Sequence, residues 1–413
     1  MFIIRFLGGK RLELIINKPY IDKNRIVSVI EYEKNKYDLY FEVNNEYVKY
    51  LCTENANAFL LALLPLIVKN SYDVIVKASI SSRLYYQLTT YLLPMLEKAF
   101  NKREITIKCE LTDCKYDGDG VGASVSCGID SFYTLFKHMN LKDNKMNITH
   151  LCFFNAGSNG SYGGEDSRKL FKERVTHIKD FCAEMNMHLV EIDSNLNELL
   201  MMSHEIRHTF TTLSCVYVLE KLFNTYYFAS GMKFDGSHID RSDTSFYDIL
   251  NVQCLSNENI TFYCSGIETS RMEKTKYISN YDITYKYLNV CTKSHWNNCG
   301  KCIKCVRTMT SLESIKKLEK YGNVFDLEEY RKNRNIILSK LLVMNRDKIQ
   351  HEFCSEIINS YKDNNVKIPL VSYLLSFLPS KKNIKALIKF IIPSRLLNKL
   401  TGTKNKVHNG WDN

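Results

Sequence analysis

From Val121 onward the sequence alternates short apolar stretches with longer segments whose apolar residues recur every three to four positions, and this alternation limits the fold more than any other feature. Val121–Val125 is an expected strand, and Phe132, Leu135, Phe136 and Met139 behind it mark one helix face. Thr149–Phe154 is the next strand, followed by a stripe of Phe171, Val175, Ile178, Cys182 and Met185. His188–Ile192, a helix through Ile206, Phe210, Leu213 and Tyr217, and strands at Tyr226–Ala229 and Thr261–Cys264 complete the series. Strands joined through helices need right-handed crossovers, which predicts a doubly wound parallel sheet, here of five strands. Ligands bind beyond the carboxyl ends of such strands. The loops after Val125, Phe154 and Ala229 should therefore face the active site, with Phe154 and Gly231 as candidate contacts.

Upstream, residues 1–115 read as a separate mixed α/β domain. Its expected strands are Arg11–Ile16, Arg25–Tyr32 and Asp38–Tyr50, and its expected helices Ala56–Lys69 and Arg83–Phe100. The polar stretch Asp117–Gly122 is the expected boundary, because Gly and Asp are costly inside elements. The ligand-binding domain would then span 116–285, a cysteine knuckle 286–310 and a helical region 311–413, with Leu338, Leu341 and Leu342 in one helix and a break at Pro369. A chain of 413 residues with 45% hydrophobic and 24% charged content is neither disordered nor fibrous. Its longest apolar runs, Phe59–Val68 and Ile368–Ser380, are shorter than the roughly 18 residues of a membrane span. Fourteen cysteines, behind a start that lacks secretory features, predict a reducing, cytoplasmic setting.

Ser126-Cys127-Gly128-Ile129-Asp130-Ser131 lies between the first parallel strand and its helix. Backbone N–H groups at a helix start, a glycine that admits close approach and the hydroxyls of Ser126 and Ser131 together form a cradle for a phosphate chain. Asp130 would repel phosphate on its own, so it should hold Mg²⁺ or cap the helix. No G-x-x-x-x-G-K-[ST] occurs, which removes the P-loop NTPase reading. Gly118-x-Gly120-x-x-Ala123 imitates a dinucleotide fingerprint but precedes its strand. Further on, Gly266-Ile-Glu-Thr-Ser-Arg271-Met-Glu-Lys274 puts two cations three residues apart at an expected helix start, where both could neutralise a departing pyrophosphate. A solvated pair is the alternative.

The Ser126–Ser131 segment resembles the S-G-G-x-D-S loop of the PP-loop ATP pyrophosphatase superfamily (N-type, adenine nucleotide α-hydrolase-like), with Cys127 where that family usually has Gly. The resemblance implies cleavage of ATP to AMP and pyrophosphate. It also implies that Ser126, Cys127, Gly128, Ile129, Asp130 and Ser131 hold the nucleotide, with Asp130, Ser131, Arg271 and Lys274 acting in the chemistry.

Cys291, Cys299, Cys302 and Cys305 give C-x7-C-x2-C-x2-C, enclosing His295. Four thiolates at this spacing suit a structural Zn²⁺ with no open position; an iron–sulfur cluster or free thiols are the alternatives. A knuckle following a PP-loop domain resembles the 7-cyano-7-deazaguanine synthase family, over residues 121–310. That implies adenylation of a small-molecule carboxylate or amide oxygen with nitrogen attack by ammonia; sulfur delivery is a second reading, and a non-catalytic nucleotide- or RNA-binding module a third.

His204 and His208 share one helix face without an evident third metal ligand, and Arg207 between them is a candidate for holding a carboxylate substrate. Cys152, Cys182, Cys215 and Cys254 read as small core residues. Net charge is +11, of which residues 381–413 carry +7 through eight Lys/Arg against Asp412. Ile384, Leu387, Ile388, Ile391, Ile392, Leu396, Leu397 and Leu400 recur there at helical spacing. This tail is expected to pack on the enzyme or a dimer partner; a membrane surface or RNA is the alternative.

Overall fold

The computed structural model describes residues 12–291, 297–347 and 350–377. They form two compact units that divide between Lys274 and Thr275. In the first, β1 (Glu13–Ile16), β2 (Tyr20–Asp22), β3 (Arg25–Tyr32) and β4 (Asn35–Val43) lead into α1 (Asn57–Asn70), β5 (Asp73–Ser81), α2 (Ser82–Gln87), α3 (Leu93–Phe100) and β6 (Ile107–Thr112). The alternating part follows: β7 (Gly120–Ser124), α4 (Ile129–Lys137), β8 (His150–Phe154), α5 (Glu165–Glu184), β9 (His188–Ser194), α6 (Leu196–Leu200), α7 (His208–Val218), β10 (Phe223–Ala229), α8 (Asp248–Cys254), β11 (Thr261–Ser265) and α9 (Arg271–Ile278).

The eleven strands among the described residues belong to one sheet, ordered β11-β10-β7-β8-β9-β4-β3-β1-β5-β6 with β2 beside β3. The expected five-stranded sheet is therefore corrected. Five parallel strands are present, β7 to β11, but β9 continues into β4 by antiparallel pairing instead of ending the sheet. Counted along the chain, the parallel strands lie in the order 3-2-1-4-5, a doubly wound arrangement with its switch point between β7 and β10. Residues 12–115 extend this sheet and also cover one of its faces. Every residue of α1 from Asn57 to Val68 is buried, and the helix packs along α7.

Local chemistry explains the departures from expectation. The strand expected to run through Tyr50 stops at Val43 and gives way to a 3-10 turn. The helix expected over Arg83–Phe100 is interrupted at Leu88–Leu92, where Pro94 lacks the N–H that a regular ladder would use and the backbone widens to π geometry. The glycine-rich stretch read as a boundary enters β7 at Gly120. A Cβ on Gly122 would lie 2.7 Å from Cδ2 of Tyr226, so glycine there lets the rings of β10 close over the strand.

A buried carboxylate stitches the two halves of this unit. Glu220, just after α7, accepts amide hydrogens from Asn55, Asn57, Asn257 and Asn259. Burial raises its pKa, and these donors oppose that rise.

The second unit contains α10 (Ile283–Tyr287), α11 (Ile303–Ser314), α12 (Leu327–Met344), α13 (His351–Asp363) and α14 (Leu370–Phe377). α11 packs on α12 and α13, and α14 lies on α12. Met309, Leu312, Leu338, Leu341, Ile357 and Tyr361 are buried in it. As expected, Leu338, Leu341 and Leu342 share a helix, and the chain breaks at Pro369.

Candidate functional site

The Ser126–Ser131 segment occupies the turn from β7 into α4, at the switch point of the sheet. Gly128 is the helix N-cap in an extended conformation, and the first intrahelical bond runs from the Phe132 N–H to the Gly128 carbonyl. The N–H groups of the opening turn therefore lie outside the helix ladder, at its positive end. The loop is tied internally: Ser131 Oγ accepts the Ser126 N–H at 3.2 Å, and Ser126 Oγ accepts the Gly128 N–H at 3.3 Å.

Cys127 takes a left-handed conformation, φ 55°, the region that glycine occupies most readily. Its side chain is fully buried, and burial together with nearby Cys182 pushes the thiol pKa well above its ordinary value. The sulfur faces the interior; only the backbone of Cys127 serves the loop.

The two cations expected at the start of α9 converge on Asp130. Arg271 Nη1 lies 2.8 Å from Asp130 Oδ2, and Lys274 Nζ lies 3.4 Å from Oδ1. Lys274 is 1% exposed and donates at 2.8 Å to the carbonyl of Ser230, the residue that follows β10. Burial lowers its pKa, and Asp130 counters that shift. The channel Lys274 uses exists because residue 266 is glycine: a Cβ there would lie 2.9 Å from Lys274 Cε and 3.1 Å from Tyr133 Cδ1, at a φ of 77°. The Tyr133 hydroxyl bonds Glu268 and Thr269, and Lys137 pairs with Glu268. Burial alone would raise the Glu268 pKa, but Lys137 holds it down at about 2. One helix start, one buried lysine and one arginine thus share a single carboxylate at the carboxyl edge of the parallel strands.

Other expected residues fall differently. Phe154 is 6% exposed and packs in the hydrophobic core. The next residue, Asn155, is buried, and its side-chain amide donates to Asp193 Oδ1 at 2.7 Å. Gly231 has open space on its Cβ side, next to the Lys274-bound carbonyl of Ser230. Arg207 is fully buried, and its guanidinium donates to the carbonyls of Met202, Ala156 and Ser161. It pins the loop after β8 and is not open to a substrate carboxylate. Burial lowers its pKa to about 10.

His208 and Asp248, forty positions apart, form a pair that sequence spacing did not reveal. Nε2 lies 3.5 Å from Asp248 Oδ1, Thr209 and Thr244 complete the cluster, and Nδ1 meets the Glu205 carbonyl at 3.1 Å. Burial disfavours the imidazolium, but Asp248, Asp243 and the Glu205 carbonyl together outweigh it, and the His208 pKa is raised.

In the second unit, Cys291, Cys299, Cys302 and Cys305 bring four sulfurs within 4.8 Å of one another, positioned to hold a metal ion. The Cys291–Cys302 and Cys299–Cys305 sulfur separations are 3.9 and 4.0 Å, against an edge of roughly 3.8 Å for a tetrahedron with metal–sulfur bonds near 2.3 Å. Cys302 caps α11 and, with Cys305 in the first turn, presents both sulfurs from one helix start. His295 and residues 381–413 lie outside the described residues. No helix among the described residues is long and apolar enough to cross a membrane. No protein-family model matches the chain, and neither a curated protein nor a solved structure does.

Proposed function

We propose that this protein is a PP-loop-type ligase that cleaves ATP to AMP and pyrophosphate while activating a carboxylate or amide oxygen of a small molecule. The convergence of Arg271 and Lys274 on Asp130 at the start of α4 carries this reading. A helix N-terminus flanked by two cations suits the charge that develops on departing pyrophosphate. Asp130 is the residue suited to hold Mg²⁺, which would neutralise phosphate charge when bound. Pairing with Asp130 keeps both cations directed at the helix end before nucleotide arrives. Ser126 and Ser131 add hydroxyl donors, and the buried Lys274, fixed to the Ser230 carbonyl, cannot swing away with the leaving group.

In the reaction, an acceptor oxygen attacks the α-phosphorus and the bond from that phosphorus to the bridging oxygen breaks. A nitrogen nucleophile, ammonia by class, then displaces AMP from the adenylate. Cys127 supports this reading over sulfur transfer by that residue, since its thiol is fully buried. Zinc is the metal proposed for the knuckle, in a structural role, because four thiolates close its coordination. The test is to supply ATP, Mg²⁺, ammonium and a panel of small carboxylates and to identify the nucleotide products. AMP and pyrophosphate, formed mainly when an acceptor is present, are expected; ADP and phosphate as main products would overturn the assignment.

A further inference from the structure

α14 is built inside out. It rests on α12 through serines: Ser372 is fully buried and meets Asn335, while Ser376 is 3% exposed and accepts from Arg346. Its large apolar side chains point the other way, with Leu370 74%, Leu374 62% and Phe377 74% exposed at positions i, i+4 and i+7. A helix end in a globular fold ordinarily buries such a stripe, and a contiguous exposed patch of Leu and Phe marks a surface that another body covers. Arg346 lies over the Phe377 ring at 4.3 Å, so the edge of the patch is cationic.

The chain that follows identifies the covering body. Residues 381–400 hold Lys381, Lys382, Lys385, Lys389, Arg395 and Lys399 with no acidic residue, and their apolar residues recur at helical spacing. Apolar stripe and cationic flank together match an acidic lipid surface, where the apolar groups enter the boundary region and the lysines meet the headgroups. RNA would match the charge but leave Leu370, Leu374 and Phe377 in water. We propose that the exposed apolar face of α14 docks the protein peripherally on an anionic bilayer.

Full-length protein mixed with phosphatidylglycerol–phosphatidylcholine vesicles should sediment with them, and less so in high salt or with phosphatidylcholine alone. Combining Leu370→Ser, Leu374→Ser and Phe377→Ser should weaken binding about tenfold or more without moving the melting temperature, because these side chains are already exposed. Replacing Lys381, Lys382, Lys385 and Lys389 together by Glu should abolish binding with the fold intact. The proposal is overturned if wild-type protein ignores anionic vesicles or if the serine variant binds as wild type. It is also overturned if that variant loses melting temperature, which would mean the chain covers its own patch, or if the patch drives a salt-insensitive dimer with no vesicle binding.

Discussion

Asp130 carries one charge and faces two cations, and in the proposed reaction the two cations should not contribute equally. Lys274 is buried and fixed, whereas Arg271 is a quarter exposed. Lys274→Ala should lower kcat by about 10²-fold or more while changing the ATP KM only severalfold, since its charge matters most as pyrophosphate departs. Steady-state kinetics decides this, and an equal loss in ATP affinity would count against the role. Cys127→Gly should leave turnover and melting temperature near wild type: relief of the left-handed strain, about 1 kcal/mol, offsets the lost burial of one sulfur. A collapse of ATP cleavage in that variant would show that the thiol itself shapes the loop. For His208 the sign follows from its raised pKa. Its pairing with Asp248 contributes stability in full below about pH 6.5 and loses it as pH rises through the folded value. Urea unfolding at a series of pH values should show this loss in wild type and not in His208→Gln. The loop and the Arg271–Lys274 pair were legible because strand, turn and helix start are local in sequence, and three-residue spacing already places two side chains together. The His208–Asp248 pair was not, since only tertiary packing brings α7 against the start of α8.

At the scale of elements, the knuckle and α11 form one device, because two of its four sulfurs sit at the helix start. Chelator treatment, or Cys302→Ser, should lower the melting temperature of the protein more than it changes ATP affinity, with about one equivalent of zinc lost by elemental analysis. A folded, metal-free protein of unchanged melting temperature would overturn that. The four cysteines were readable from spacing alone, and the parallel strands from the switch of apolar period between two and 3.6. β5 and β6 fell outside the expected strands, although Val74, Val76 and Ile80 alternate in β5, because apolar helices on either side dominate that region. The boundary at Asp117–Gly122 misled for a specific reason. Glycine in a strand interior is costly only where no neighbour needs the space, and the rings of Phe223 and Tyr226 need it.

For the molecule as a whole, residues 12–115 are part of the sheet that carries the candidate site, so they should not be separable from it. A chain beginning at residue 116 would bare the edge of β9 and the face of α7 that α1 covers, and would leave Glu220 without Asn55 and Asn57. It should elute as aggregate and show no cooperative unfolding transition; a monomeric fragment that cleaves ATP would refute this. The β4–β9 pairing also has a consequence for the order of events at the ribosome. Ser194 reaches back to the Tyr40 carbonyl across 154 positions. At cellular elongation rates β4 waits on the order of ten seconds after its own synthesis before its partner strand exists. During that interval the edge of β4 that β9 will pair has no strand partner. Synonymous codon changes between residues 43 and 188, by changing how long that edge waits, should therefore alter soluble yield without altering the protein made.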